Sequence, residues 1–130
     1  MVEKDSGYLS EVFSSIQGEG GNVRGSSFGK RQIFVRFSGC NLAEGDFGYK
    51  GCIWCDSLCA QKLKSLEFKY EENPGSQKLK NSNNPVRIAE IVGIIKELIT
   101  NDLHSISFTG GEPLYQLEFV MNLSKALKDA

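Results

Sequence analysis

Residues 84–111, NPVRIAEIVGIIKELITNDLHSISFTGG, decide the fold class. Asn84 can cap a helix with Pro85 at its first position, where the missing N–H is no loss. Ile88, Ile91, Val92, Ile95, Leu98 and Ile99 then recur at helical spacing as far as a breaker at Asn101-Asp102, which predicts a helix with one broad buried face. Ser105 to Thr109 predicts a short buried strand ending at Gly110-Gly111, and Leu117 to Lys128 a second amphipathic helix. Upstream, Arg31 to Phe37 alternates polar and apolar residues of β-branched and aromatic character, as a strand does. Strand, helix, strand, helix is the α/β pattern of a parallel sheet.

The remaining segments fit around these elements. Tyr8 to Phe13 predicts a short strand, and residues 14–27 are rich in Gly and Ser, as a loop that approaches a ligand closely would be. Residues 61–84 turn polar, with Asn73-Pro74-Gly75-Ser76 as a turn signal and Leu79 the only aliphatic residue between Asn73 and Asn84, so a surface insertion is expected. There is no internal repeat.

A chain of 130 residues is one domain's worth, enough for a single core but short for a barrel enzyme. Fifteen Lys plus Arg against sixteen Asp plus Glu give a net charge of −1, which offers no electrostatic footprint for nucleic acid. No apolar run is long enough to span a bilayer, and the charged N-terminus lacks the apolar core of a signal peptide, so a cytoplasmic protein is expected. In that reducing compartment four cysteines point to metal or redox chemistry more than to disulfides.

Cys52 and Cys55, two residues apart, can reach one metal centre from a tight turn, and Cys40, at the exit of the Arg31 to Phe37 strand, is placed to close on them. Three thiolates on a four-iron cubane leave one iron open to chelate another molecule. Zinc is the competing reading, since Cys59 would complete a site of four thiolates, although there is only one two-residue pair where zinc ribbons usually show two. Alone, Cys59 reads as a small buried hydrophobe. The Gly110-Gly111-Glu112-Pro113 turn puts exposed backbone groups at the strand end where α/β folds bind ligands, and carbonyls with Glu112 could hold an amino group. Its plain alternative is a β-to-α connection with Pro113 starting the helix. Gln17, in Ser15-Ile16-Gln17-Gly18-Glu19-Gly20, offers an amide donor and acceptor for a flat heterocycle, and Arg36 can pair bidentately with a carboxylate. His104, the one histidine, is given no catalytic role.

Taken in order, Ser15-Ile16-Gln17-Gly18-Glu19-Gly20, Phe34-Val35-Arg36-Phe37-Ser38-Gly39-Cys40-Asn41-Leu42, Cys52-Ile53-Trp54-Cys55-Asp56-Ser57 and Thr109-Gly110-Gly111-Glu112-Pro113-Leu114-Tyr115-Gln116 closely resemble 7-carboxy-7-deazaguanine synthase. That family consists of radical S-adenosylmethionine (SAM) enzymes of the queuosine and archaeosine pathways. The resemblance covers most of the chain outside residues 61–84. The eleven-residue gap between Cys40 and Cys52 exceeds the three-residue gap usual in radical SAM enzymes, and some members of this family share such an expansion.

The resemblance implies an α/β fold, the N-terminal portion of a radical SAM partial (β/α) barrel, with residues 1–130 forming a single unit of that core. It implies a [4Fe-4S] cluster on Cys40, Cys52 and Cys55, whose open iron binds SAM for reductive cleavage to a 5′-deoxyadenosyl radical. It implies SAM contacts at Gly111 and Glu112, substrate contacts at Ile16, Gln17, Gly18, Arg36 and Thr109, and Mg²⁺ on the Ser57 hydroxyl, where the family usually has threonine. The reaction would convert 6-carboxy-5,6,7,8-tetrahydropterin to 7-carboxy-7-deazaguanine with loss of ammonia. A flavodoxin-like electron donor and a homodimer are expected on the same ground, with no nucleic acid or membrane partner. The family's barrel continues through further strand and helix units, so 130 residues are expected to leave the adenosyl end of SAM exposed. An activase for a glycyl-radical enzyme would share the cluster and the Gly-Gly-Glu-Pro turn, but Gln17-Gly18-Glu19-Gly20 and the Arg36-bearing strand fit the synthase better. A non-catalytic four-cysteine zinc or iron–sulfur module is the alternative from another class.

Overall fold

The computed structural model of the chain describes residues 5–21, 23–40, 43, 45, 51, 52, 55 and 58–130. Its strands are β1 (Ser6–Gly7), β2 (Leu9–Ile16), β3 (Arg31–Phe37), β4 (Glu67–Glu71), β5 (Leu79–Asn83), β6 (Val86–Arg87) and β7 (Leu103–Gly110). The helices are α1 (Ile88–Glu97) and α2 (Leu117–Asp129), with single 3-10 turns at Leu58–Ala60 and Pro113–Gln116.

Five strands form one sheet in the order β5-β4-β2-β3-β7, and β1 pairs with β6 beside it. The fold is α/β, as expected, but the sheet is mixed where a parallel one was predicted. β3 and β7 are parallel, as are β2 and β4, whereas β2 runs antiparallel to β3 and β4 to β5. The strand, helix, strand pattern from β3 through α1 to β7 does give a parallel pair, whereas β2 and β3 are joined by a loop without a crossover helix and pair antiparallel. β2 is also longer than predicted, because its ladder with β3 continues through Ser14↔Ile33 to Ile16↔Arg31.

Two local features differ from the sequence reading for identifiable reasons. Residues 61–84 are largely exposed but not structureless: β4 and β5 make a hairpin on the sheet, with Phe68 buried on the core. The turn of that hairpin is held by Glu71, only 4% exposed, whose carboxylate accepts the N–H groups of Ser14 (3.1 Å), Gly75 (3.1 Å) and Gln77 (3.0 Å). Asn84 does not cap α1, which begins at Ile88 after Arg87 with no side-chain cap. Its amide instead extends the ladder on β2, accepting from Leu9 N–H at 3.1 Å and donating to the Leu9 carbonyl at 2.8 Å. α1 stops at Glu97, so Leu98 is buried and Ile99 is exposed.

Strand alternation gives the sheet two unlike faces. Val12, Ile33, Val35 and Phe37 form a core with Ile91 and Ile95 of α1 and Phe119 and Leu123 of α2. The Phe37 ring meets those of Phe108 and Phe119 edge-on at 5.3 and 5.9 Å, a favoured aromatic geometry. Each of these side chains contributes roughly 1.5–3 kcal/mol by leaving water, so this face fixes the register. The opposite face carries Glu11, Phe13 and Ser15 on β2, Gln32, Phe34 and Arg36 on β3, and Ser105, Ser107 and Thr109 on β7. None of the described helices contributes to it a core residue.

Candidate functional site

β3 and β7 end side by side, with Phe37 opposite Gly110, so Cys40 and Gly111 both lie just past the carboxyl edge of the sheet. Gly111 N–H donates to the Phe37 carbonyl at 3.2 Å, and Glu112 N–H donates to the Gly39 carbonyl at 2.9 Å. The approach is so close that a Cβ on Gly111 would fall less than 3.0 Å from the carbonyl oxygens of Gly39 and Ala60. Gly110 adopts φ 126° and lies equally close to the Phe37 backbone, so only glycine serves there. The N–H groups of this turn are therefore taken up within the fold, contrary to the expectation that they stand exposed. Glu112 is likewise engaged, its carboxylate accepting Leu114 N–H at 3.0 Å to cap the 3-10 turn. Gln116, at the end of the same motif, donates to the carbonyls of Tyr8 (2.8 Å) and Ser38 (2.9 Å) and accepts Tyr8 N–H (2.9 Å).

The cysteine-bearing loop is pinned at its base. Gly39 N–H donates to the Ala60 carbonyl at 2.7 Å and Cys40 N–H to that of Gln61 at 3.1 Å, bringing the two ends of the loop together beside Gly111. Cys52 and Cys55 are joined by a turn in which Cys55 N–H donates to the Cys52 carbonyl at 3.3 Å. Cys40, Cys52 and Cys55 are all free thiols, Cys52 exposed and the other two half-buried. Among the described residues, no three of His, Cys, Asp and Glu lie close enough to hold one metal ion. The three thiols thus share one loop closed at its base, without converging on a single point. Three thiols on a loop tied at both ends suit a thiolate-held iron–sulfur cluster. Ser57 lies outside the described residues, as does the side chain of Cys59.

The predicted substrate residues divide along β3. Arg36 and Thr109 are neighbours in the β3–β7 register near the cysteine end. Arg36 already has one carboxylate partner: Glu11, opposite it on β2, accepts its Nε–H at 3.1 Å, and the guanidinium carbon lies 5.8 Å from the Phe13 ring centre. Phe13 in turn stacks on Phe34 at 5.3 Å with planes 10° apart. Ile16, Gln17 and Gly18 lie at the far end, because β2 runs against β3: Gln17 N–H donates to the Lys30 carbonyl at 2.9 Å. Ile16 and Gly18 are exposed, while Gln17 borders an open cleft of about 650 Å³ with Glu19, Arg24, Gln32 and Ser107. Sequence reasoning passed over Glu11, Phe13, Gln32 and Phe34, although the two-residue period of β3 already puts Gln32, Phe34 and Arg36 on one face.

No family model matches the chain. Its sequence is 44% identical over 124 residues to 7-carboxy-7-deazaguanine synthase of Thermococcus kodakarensis, an alignment covering 93% of this chain and 45% of that protein. The synthase of Methanocaldococcus jannaschii is 36% identical over 121 residues, 93% of this chain and 42% of its own length. That of Geobacter sulfurreducens is 32% identical over 131 residues, 98% and 46% respectively. The crystal structure of QueE from Escherichia coli matches with a TM-score of 0.53 at 24% identity, covering 93% of this chain and 48% of that one. The resemblance carried by the four motifs thus extends over nearly the whole chain, and the α/β fold is part of a larger one. The chain spans under half the length of the curated relatives it matches.

Proposed function

We propose that the chain supplies the cluster-binding loop and one wall of the substrate site of a 7-carboxy-7-deazaguanine synthase, acting on 6-carboxy-5,6,7,8-tetrahydropterin with loss of ammonia. The reading rests on the strip along the polar sheet face: Arg36 at one end, the Phe13–Phe34 stack in the middle, Gln17 and Gln32 at the other. At about 3.3 Å per residue, the four steps from Gln32 to Arg36 span roughly 13 Å, the scale of a bicyclic pterin bearing a carboxylate. Arg36 would bind that carboxylate, held in place by Glu11, with Thr109 beside it. The aromatic pair would lie along the ring, and the Gln17 amide would meet its aminopyrimidinone edge.

Cys40, Cys52 and Cys55 would hold a [4Fe-4S] cluster. When bound, that cluster supplies the electron for reductive cleavage of SAM. A SAM amino group, a donor, would be held by carbonyls of the turn and by the Glu112 carboxylate. Ser57 is proposed as the Mg²⁺ ligand that orients the substrate carboxylate. A flavodoxin-like reductant, a homodimer and a cytoplasmic setting belong to the same proposal. In a full-length protein carrying this chain, anaerobic reconstitution and addition of SAM, Mg²⁺, dithionite and the carboxytetrahydropterin are expected to form 7-carboxy-7-deazaguanine, and Arg36→Met to abolish it. Absence of both product and carboxypterin binding would overturn the reading.

A further inference from the structure

Gln32 sits on β3 with 5% of its surface exposed, between Gln17 and Ser105. Gln17 Nε2 donates to Gln32 Oε1 at 2.8 Å, Gln32 Nε2 donates to Ser105 Oγ at 2.7 Å, and Ser105 Oγ lies 2.9 Å from His104 Nδ1. At the other end, Gln17 Oε1 accepts the backbone N–H of Glu19 at 3.1 Å. A side-chain amide has two orientations that exchange its oxygen and nitrogen, and only its hydrogen-bond partners choose between them. Here the choice is forced. Glu19 N–H can only donate, so the Gln17 atom facing it is oxygen and the one facing Gln32 is nitrogen. Gln32 must then present its oxygen to Gln17 and its own nitrogen to Ser105, whose hydroxyl accepts.

We propose that Gln32, backed by Ser105, is a positioning residue that, together with the Glu19 N–H that selects the orientation, clamps the Gln17 carboxamide in place and so fixes the donor and acceptor pattern Gln17 presents to the cleft. Each group of Gln17 keeps bonding capacity beyond these contacts: a second N–H on Nε2 and a second lone pair on Oε1. A heterocycle with an adjacent acceptor and donor, as on a 2-amino-4-oxopyrimidine edge, matches that pattern in one direction only. This inference deepens the carboxypterin reading and rests on it for the identity of the ligand. The orientation of Gln17 itself does not depend on that reading. Without Gln32 the amide would be held at one end alone, by the Glu19 N–H, and would discriminate less, because an unmatched buried donor or acceptor carries the full desolvation cost.

The full chain, labelled with ¹⁵N, tests both parts. In the wild type the Gln17 side-chain NH2 pair should be displaced from unrestrained glutamine positions, and 6-carboxypterin, the stable oxidised analogue, should bind. Gln32→Leu should return that pair to unrestrained positions and weaken carboxypterin binding about tenfold, the equivalent of one hydrogen bond near 1.4 kcal/mol. Gln32→Glu should keep both, since a carboxylate still accepts from Gln17 while the Ser105 hydroxyl turns to donate, a rescue that a merely space-filling role would not show. If Gln32→Leu does not fold, Gln32→Met takes its place and should likewise return the Gln17 pair toward unrestrained positions, since a thioether is a poor acceptor. An unchanged Gln17 pair in the folded Leu or Met variant overturns the proposal. A wild type that fails to bind carboxypterin, with the Gln17 pair collapsing in Gln32→Leu, would overturn the substrate reading and leave the positioning role standing.

Discussion

Replacing Gly111 by alanine tests whether the cysteine loop and the end of β7 are one rigid joint. The added Cβ would fall less than 3.0 Å from the carbonyl oxygens of Gly39 and Ala60, and both are backbone atoms that cannot rotate away. Relief to an ordinary contact near 3.5 Å requires a shift of about 1 Å. Three hydrogen bonds pass through this joint: Gly111 to Phe37 at 3.2 Å, Glu112 to Gly39 at 2.9 Å and Gly39 to Ala60 at 2.7 Å. Lengthened by about 1 Å they leave hydrogen-bonding range, at about 1 kcal/mol each, so the loss is about 3 kcal/mol. A domain of this size is stable by about 6–20 kcal/mol, so the variant folds and can be measured. Urea unfolding should show a midpoint lower by about 1–3 M. Gly18→Ala, whose Cβ would meet nothing within 4 Å, is the control and should move stability by less than about 0.5 kcal/mol. Equal midpoints for Gly111→Ala and the wild type would refute the claim that the joint is closed by backbone contact.

Gln116→Leu removes the three bonds to Tyr8 and Ser38 and should cost about 2–4 kcal/mol in urea unfolding, with activity lost only in proportion to folded protein. Glu71→Ala leaves three N–H groups without their carboxylate and should destabilise by a similar amount, with amide exchange quickening first at Gly75 and Gln77. Phe119→Ala opens the edge-on contact with Phe37 and should cost about 3–5 kcal/mol by thermal or urea melt. Asp102 is held below the ordinary carboxylate range, first by the Thr100 hydroxyl and then by Arg31, so its contribution is present above the unfolded value and lost as pH falls through the folded one. Asp102→Asn should flatten that acid limb of the stability curve and leave neutral pH upward unchanged in slope.

What could be seen in the sequence followed from periodicity. The apolar spacing of Ile91, Ile95 and Leu98 and the alternation of Arg31 to Phe37 placed a helix and a strand correctly, because burial of one face dominates their energetics. Asn84 went wrong because a capping residue type also makes good ladder-like contacts to a neighbouring backbone, and that choice is decided by Leu9, 75 positions away. β4 and β5 were hidden by a polar sequence: the hairpin is anchored by Phe68 and by Glu71, and a buried acid that gathers backbone N–H groups leaves no apolar pattern. Within the site, Arg36 and Thr109 were legible as residue types, while their adjacency needed the β3–β7 register. Much of the Thr109-to-Gln116 motif proved to be structural, since Gly110, Gly111, Glu112 and Gln116 each brace the end of β3 or the turn beside it.

The central claim is that Cys40, Cys52 and Cys55 hold a cluster with one iron left for SAM. Anaerobic reconstitution followed by iron, acid-labile sulfide and zinc analysis, with electron paramagnetic resonance of the reduced protein before and after SAM, measures it directly. The account predicts about four irons and four sulfides per chain, lost on replacing Cys40, Cys52 or Cys55 by alanine but kept in Cys59→Ala, and a spectrum altered by SAM. About one zinc per chain without labile sulfide, or a metal centre that needs Cys59, would contradict it.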